Sequence, residues 1–278
     1  MIDSHAHLSM YPTEERRDVL ARAADAGVGL ILAPATGPED LEEVADLPLQ
    51  YPAAVVIALG FHPHEASRLD SEWKRRLQRA LEGAGVVAVG EIGLDYYYEN
   101  SPREDQRRAF SWQLALAVER NLPVVLHQRE AWGDFLAGID NSPGLRGVAH
   151  SFTEGAAGVE QLGARGLWIG ISGMVTFPRA DNVRQAAKAV VPEHLLVETD
   201  SPYLAPVPFR GRRNEPAHVR VVARSLATLR GVEPEEVERQ TTEAFHGLFT
   251  PRSALGSATR GSGLLGGGER SADDSPKE

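Results

Sequence analysis

Two histidines, His5 and His7, stand one residue apart in the N-terminal segment MIDSHAHL. On an extended strand, residues i and i+2 point to the same side, so both imidazoles can share one metal ion. The pair alone is a weak signal, because most His-x-His occurrences are surface or packing histidines. The rest of the histidine distribution strengthens it. Of nine histidines, six (His5, His7, His62, His64, His127 and His150) fall at or just beyond the end of an apolar run. A bland reading, in which each is separately satisfied, has to explain why several strands end in the same metal-binding residue type. His194, His218 and His246 fall at a strand start or on helices and are assigned to structure, packing or surface.

The carboxylates follow the same rule. Glu91 closes the run VAVGE and Asp200 closes LLVETD. Carboxylates are rarely buried without a partner. Metal ions supply one; an ion pair with Arg129 or Arg210 is the weaker alternative. Glu198 shares a side with Asp200 by the two-residue period and can orient a ligand histidine. His5, His7, Glu91, His127, His150 and Asp200 exceed what one tetrahedral metal with an open position uses. They suit two divalent cations sharing a carboxylate and a water, an arrangement that acidifies the water and offsets charge on an attacked phosphoryl or acyl centre. Asp200 can both bind metal and take the proton from that water. The chain has no cysteine, so the ligands are imidazoles, carboxylates and water, a set that accepts Zn, Mn, Mg, Co or Ni.

Other polar residues suggest what is attacked. In FRGRRNEP, Arg210 presents a planar fork that matches phosphate oxygens, whereas Arg212 and Arg213 read as solvated surface charge. Arg129 adds a second cation beside His127. His62, in GFHPH, is a candidate to bind phosphate or stabilise a leaving group, and His64 reads equally well as packing. Tyr96, Tyr97 and Tyr98 can stack on a base or sugar, with at least one of them packing at the core or rim.

Such residues need a frame. Apolar runs near 1–5, 28–34, 54–60, 86–91, 123–127, 147–150, 167–171 and 195–199 have the near-continuous Val, Ile, Leu and Ala content of parallel strands buried on both faces. Amphipathic stretches near 13–26, 38–46, 70–83, 102–121, 130–139, 154–165, 181–190 and 216–230 alternate with them, and another follows near 234–249. Eight βα units in roughly 250 residues predict a (β/α)8 TIM barrel, whose strand C-termini converge on one face; a doubly wound open sheet is the alternative. Gly27 reads as the stop of the first helix, and Ser101 as the N-cap of the helix entered at Pro102. The barrel domain is assigned to 1–253, and the Gly/Ser-rich segment 254–278 to a disordered tail.

Net charge is −10 over 278 residues. That disfavours a non-specific duplex-DNA clamp, which needs a basic face, but not a phosphodiesterase whose metals supply local positive charge. There is no signal-peptide pattern and no apolar run near the ~20 residues of a membrane helix. Together with the lack of cysteine, this suggests a soluble, cytoplasmic protein with no membrane association and no obligate protein partner.

The segments HAH (5–7), GFHPH (60–64), GEIGLDYY (90–97), PVVLHQRE (123–130), HSF (150–152), ETDSPYL (198–204) and RGRRNEP (210–216), in order over about residues 1–250, resemble the TatD family of metal-dependent hydrolases, within the amidohydrolase superfamily. The resemblance implies a TIM barrel with a two-metal site and deoxyribonuclease activity, commonly as a 3′-to-5′ exonuclease on DNA, with single-stranded ends as the substrate. It further implies that His5 and His7 hold one metal, His127 and His150 the other, and that Glu91 bridges them where many superfamily members use a modified lysine. Asp200 would be ligand and base, and His62 and Arg210 substrate-phosphate contacts. Ala244 stands where the family usually has Asn, and Gln128 where a small hydroxyl residue is more usual. Two other function classes compete: metal-dependent hydrolysis of an amide or lactone, or deamination, on the same barrel; and a non-catalytic binding module with a vestigial site.

Overall fold

The structure, a computed structural model, describes residues 1–249; the assigned tail, 254–278, lies outside the described residues. Eight strands form one sheet: β1 (Ile2–Asp3), β2 (Leu30–Pro34), β3 (Val55–Leu59), β4 (Val86–Asp95), β5 (Val124–Arg129), β6 (Gly147–Ala149), β7 (Trp168–Ile171) and β8 (Leu195–Val197). Their order in space is their order in sequence, and every pair is parallel. The last strand returns to the first: Ser4 N–H bonds Val197 O at 3.0 Å, His7 N–H bonds Ser201 O at 2.8 Å, and Ala6 pairs with Ser201. This is a (β/α)8 barrel. A doubly wound sheet would show a switch in strand order, and there is none.

The outer ring follows the chain: α1 (Thr13–Asp25), α2 (Leu41–Gln50), α3 (Ser71–Ala80), α4 (Arg103–Glu119), α5 (Trp132–Asp140), α6 (Gly155–Gly163), α7 (Asp181–Ala189) and α8 (Val219–Arg230), with α9 (Pro234–Phe249) added at the end. Alternate strand residues serve two cores. Ile31, Ile57, Val89, Val124 and Ile169 pack outward against the helices. Ile2, Leu32, Ala58, Ala88, Val125, Val148 and Leu196 form a second cluster with Ala244, Phe245, Leu248 and Phe249 of α9. These strand residues fill the lumen, and α9 plugs its lower mouth, leaving the C-terminal strand ends to carry chemistry. Ala244 belongs to that plug, so its departure from the family pattern falls on packing. No helix among the described residues is long and apolar enough to cross a membrane.

Local signals decide several boundaries. Gly27 adopts φ +83°; its N–H bonds Ala24 O and the Val28 N–H bonds Ala23 O, the two-bond stop that a left-handed glycine permits. Ser101 does not cap α4. The cap position is Pro102, because the Ser101 hydroxyl is engaged elsewhere, donating to His64 O at 2.7 Å and accepting from Ser67 N–H at 3.1 Å. Strand β4 runs four residues past Glu91, with an irregular register between Val89 and Ile92. That extension requires Gly93: a Cβ there would sit 1.9 Å from the His127 carbonyl oxygen.

Candidate metal centre

The strand ends bring His5, His7, His62, Glu91, His127, His150 and Asp200 into one cluster. His5 and His7 leave β1 with their Nε2 atoms 3.2 Å apart. Glu91 Oε2 lies 3.3 Å from His5 Nε2 and 3.6 Å from His7 Nε2, while Asp200 Oδ1 lies 3.7 and 3.4 Å from the same two nitrogens. Ligand atoms about 2.1 Å from a tetrahedral metal lie about 3.4 Å from one another. The five separations scatter around that value, so this donor set fits a single divalent cation.

A second triangle is built on the other oxygen of Glu91. Oε1 lies 3.0 Å from His127 Nδ1 and 2.8 Å from His150 Nε2, and those nitrogens are 3.3 Å apart. One carboxylate thus presents one oxygen to each group. Unless protons or cations lie between them, such close lone pairs repel. The set consists of imidazoles and carboxylates only, which suits borderline and hard divalent ions alike.

Electrostatics lead to the same conclusion. Burial pushes the Glu91 carboxyl up, but the surrounding histidines, His150 foremost, override it and hold it well below the usual carboxylate range. Burial alone would lower His150, yet Glu91 and Glu198 raise it well above an ordinary histidine. His127 is likewise raised against its burial by Asp95 and Glu91. A negative field that attracts protons to these nitrogens also attracts metal cations, which compete for the same lone pairs.

The backbone around Asp200 is held from below and behind. Asp200 has φ +55°, a left-handed conformation that Asp tolerates better than most residues, and its N–H bonds His5 O at 2.9 Å. Asp3, fully buried and pushed up to about 8 by burial against its bonds to Thr199, accepts from Thr199 N–H at 2.9 Å and Thr199 Oγ1 at 2.6 Å. Asn214, also fully buried, donates to Thr199 O at 2.9 Å and Tyr203 O at 2.6 Å and accepts from His218 Nδ1 at 2.8 Å. Sequence reasoning gave neither residue a role. Their signal was a polar side chain inside an apolar or glycine-arginine context, which does not reveal its partner. Glu198 lies 3.6 Å from His150 Nδ1 and accepts from the Ser151 N–H, as the two-residue period suggests.

His62 differs from its neighbours. Its Nδ1 accepts the His64 N–H at 3.1 Å, so a neutral ring carries its hydrogen on Nε2, the atom 3.5 Å from Glu91 Oε1. Burial first, then His127, lowers it well below an ordinary histidine, so it stays neutral. His62 therefore offers the cluster a hydrogen-bond donor. His64 reaches Asp95 Oδ2 at 3.1 Å. Asp95 itself passed unremarked in GEIGLDYY, although an acid closing an apolar run was the signal that had marked Glu91.

The structure does not bring the other substrate candidates to the cluster. Arg210 lies over the Phe177 ring at 3.8 Å, and Arg129 over Tyr97 at 3.9 Å and Tyr98 at 4.7 Å. Neither pairs with Glu91 or Asp200 among the described contacts. Tyr96 turns its hydroxyl to Asp134 at 2.6 Å, under the Arg103 guanidinium. The exposed rings are Tyr97 and Tyr98, and Tyr98 meets His64 edge-on at 5.7 Å. Arg213 pairs with Glu15. His194 lies tilted against Trp168 at 4.3 Å, His218 stacks on Phe209, and His246 lies beside Phe245.

Known proteins share this chain's pattern. Residues 2–250 match the family described as TatD related DNase. An uncharacterized metal-dependent hydrolase of Escherichia coli K12, YcfH, is 42% identical over 256 residues, covering 90% of this chain and 95% of the relative. A protein of Erwinia billingiae named 3′-5′ ssDNA/RNA exonuclease TatD is 38% identical over 243 residues, covering 85% and 93%. The crystal structure of YjjV, a TatD homologue of Escherichia coli K12, superposes with a TM-score of 0.84 at 32% identity, covering 90% of this chain and 98% of that one. With that coverage of sequence and fold, the chain belongs to the TatD family of metal-dependent hydrolases.

Proposed function

We propose that the protein is a two-cation phosphodiesterase that removes nucleotides from the 3′ ends of single-stranded DNA. The observation that carries the reading is the division of Glu91, with Oε2 facing His5 and His7, the pair that Asp200 also meets, and Oε1 facing His127 and His150. The relative named as a single-strand DNA/RNA exonuclease supports the choice of bond.

His5, His7 and Asp200 would hold one ion, His127 and His150 the other, with Glu91 common to both. When bound, the ions supply the Lewis acidity that activates water and offsets phosphoryl charge. Asp200, the most open of the carboxylates in the cluster, takes the proton as water oxygen adds to phosphorus and the P–O bond to the departing sugar breaks. The His62 Nε2–H donates to the phosphate or to the departing oxygen, a contact that strengthens as charge accumulates there. Arg210 and Arg129 would reach phosphates further along the strand by leaving their aromatic perches, and Tyr98 offers a ring face for a base.

The test is metal analysis of the purified protein combined with assays on 3′-labelled single strands after chelation and add-back. Activity should vanish in chelator, return with a divalent ion, and fall by at least about 100-fold in Asp200→Ala. Full metal-dependent activity in that variant would overturn the assignment of the base. No turnover of phosphodiesters with any of several metals, alongside turnover of an amide or lactone, would move the bond but keep the centre.

A further inference from the structure

Asp95 is buried, belongs to neither ligand group, and yet has four N–H groups directed at its carboxylate. Oδ1 accepts from the backbone of Tyr97 at 3.0 Å and Tyr98 at 2.9 Å. Oδ2 lies 3.1 Å from His64 Nε2 and 3.2 Å from His127 Nε2. Its backbone is gripped by the buried Gln106, whose Oε1 accepts the Asp95 N–H at 2.8 Å and whose Nε2 donates to the Asp95 carbonyl at 2.9 Å. The carboxylate is therefore fixed in rotation and in depth.

A carboxylate only accepts, so both histidine Nε2 atoms carry hydrogen. In the neutral His127 ring, the lone pair then lies on Nδ1, the atom facing Glu91 Oε1 and His150 Nε2. The same oxygen holds His64, whose N–H fixes the His62 ring.

We propose that Asp95 is a positioning residue that selects the His127 tautomer, so that Nδ1 is free for a cation, and that it ties this nitrogen to the His62–His64 turn on the substrate side. The proposal rests on the two-cation reading above. Asp95→Asn is the discriminating variant. Its Oδ1 can keep both backbone N–H bonds, but its amide nitrogen donates where Oδ2 accepted. His127 must then accept at Nε2 and carry its hydrogen on Nδ1, turning a donor toward the site.

Nitrogen-15 imidazole spectra of the chelated protein, recorded at a pH high enough for the His127 ring to be neutral and with His127 assigned by comparison with His127→Gln, should show Nε2–H alone in the wild type and Nδ1–H alone in Asp95→Asn. Titration with Mn or Zn should show one equivalent bound as in the wild type and the other weakened 10- to 100-fold or more, roughly the effect of losing an outer-shell partner. Wild-type affinity for both equivalents with an unchanged tautomer would overturn the proposal. If Asp95→Asn does not fold, the wild-type spectrum still decides, since Nδ1–H there would also overturn it. Loss of one equivalent in His127→Gln but not in Asp95→Asn would refute Asp95 alone. Retention of both equivalents in His127→Gln would refute the metal assignment itself.

Discussion

At the scale of single residues, the proposed function divides one cluster into metal-holding side chains and a hydrogen-bond donor. His5, His7, His127 and His150 each turn a nitrogen toward a carboxylate oxygen of Glu91. His62 lies just as near, but its Nδ1 is occupied by a backbone N–H, which leaves Nε2 as a donor. His62→Ala should therefore lower kcat/KM by about 100-fold with the metal content unchanged. A fall in bound metal, measured by elemental analysis, would make His62 a ligand instead. The histidine and carboxylate positions were legible because strand ends concentrate such residues. Asp95 carried that same signal and was passed over, whereas Asp3 and Asn214 were not legible, since a buried polar side chain shows no partner until the chain folds.

At the scale of elements, the close approach of β4 and β5 sets the separation of Glu91 and His127. The enabling residue is Gly93, where any Cβ would overlap the His127 carbonyl. Gly93→Ala should destabilise the fold by about 3 kcal/mol. In a protein of this size that lowers Tm by about 6–12 °C, and the change should also weaken metal binding. An unchanged melt would mean that the strands can separate freely. Strand order and helix alternation were readable from the apolar runs, but the extent of β4 was not: its outer half, EIGLD, reads as a loop mouth until it is seen pairing with Leu126–Arg129. Ser101 failed as a cap for a similar reason, because a tertiary partner took its hydroxyl.

At the scale of the whole molecule, the barrel encloses several ionisable groups whose charges a cation would balance. Each bound ion should stabilise the native state by about 2.7 kcal/mol at one hundred times its Kd. By differential scanning fluorimetry, adding metal to chelated protein should raise Tm by about 5–10 °C per site. No rise with Mn, Zn, Mg, Co or Ni would count against an intact centre. The net charge of −10 acts over the whole surface. In chelator at physiological salt, fluorescence anisotropy should detect no micromolar binding of duplex DNA. Tight, metal-independent binding would favour a binding module over an enzyme.

The sequence by itself determined the alternation of strands and helices, hence the barrel, and the residue types at the strand ends, because periodicity and composition are local properties of the chain. It also carried the family motifs in order. Only the tertiary structure decided that Glu91 divides its two oxygens between two groups of imidazoles. The fold likewise made His62 a donor, placed Asp95 behind His127 and turned Tyr96 and Arg210 toward other partners. Apart from the local His64–His62 contact, those outcomes depend on distances of 3–4 Å between residues tens to nearly two hundred positions apart, which only the closure of the barrel fixes.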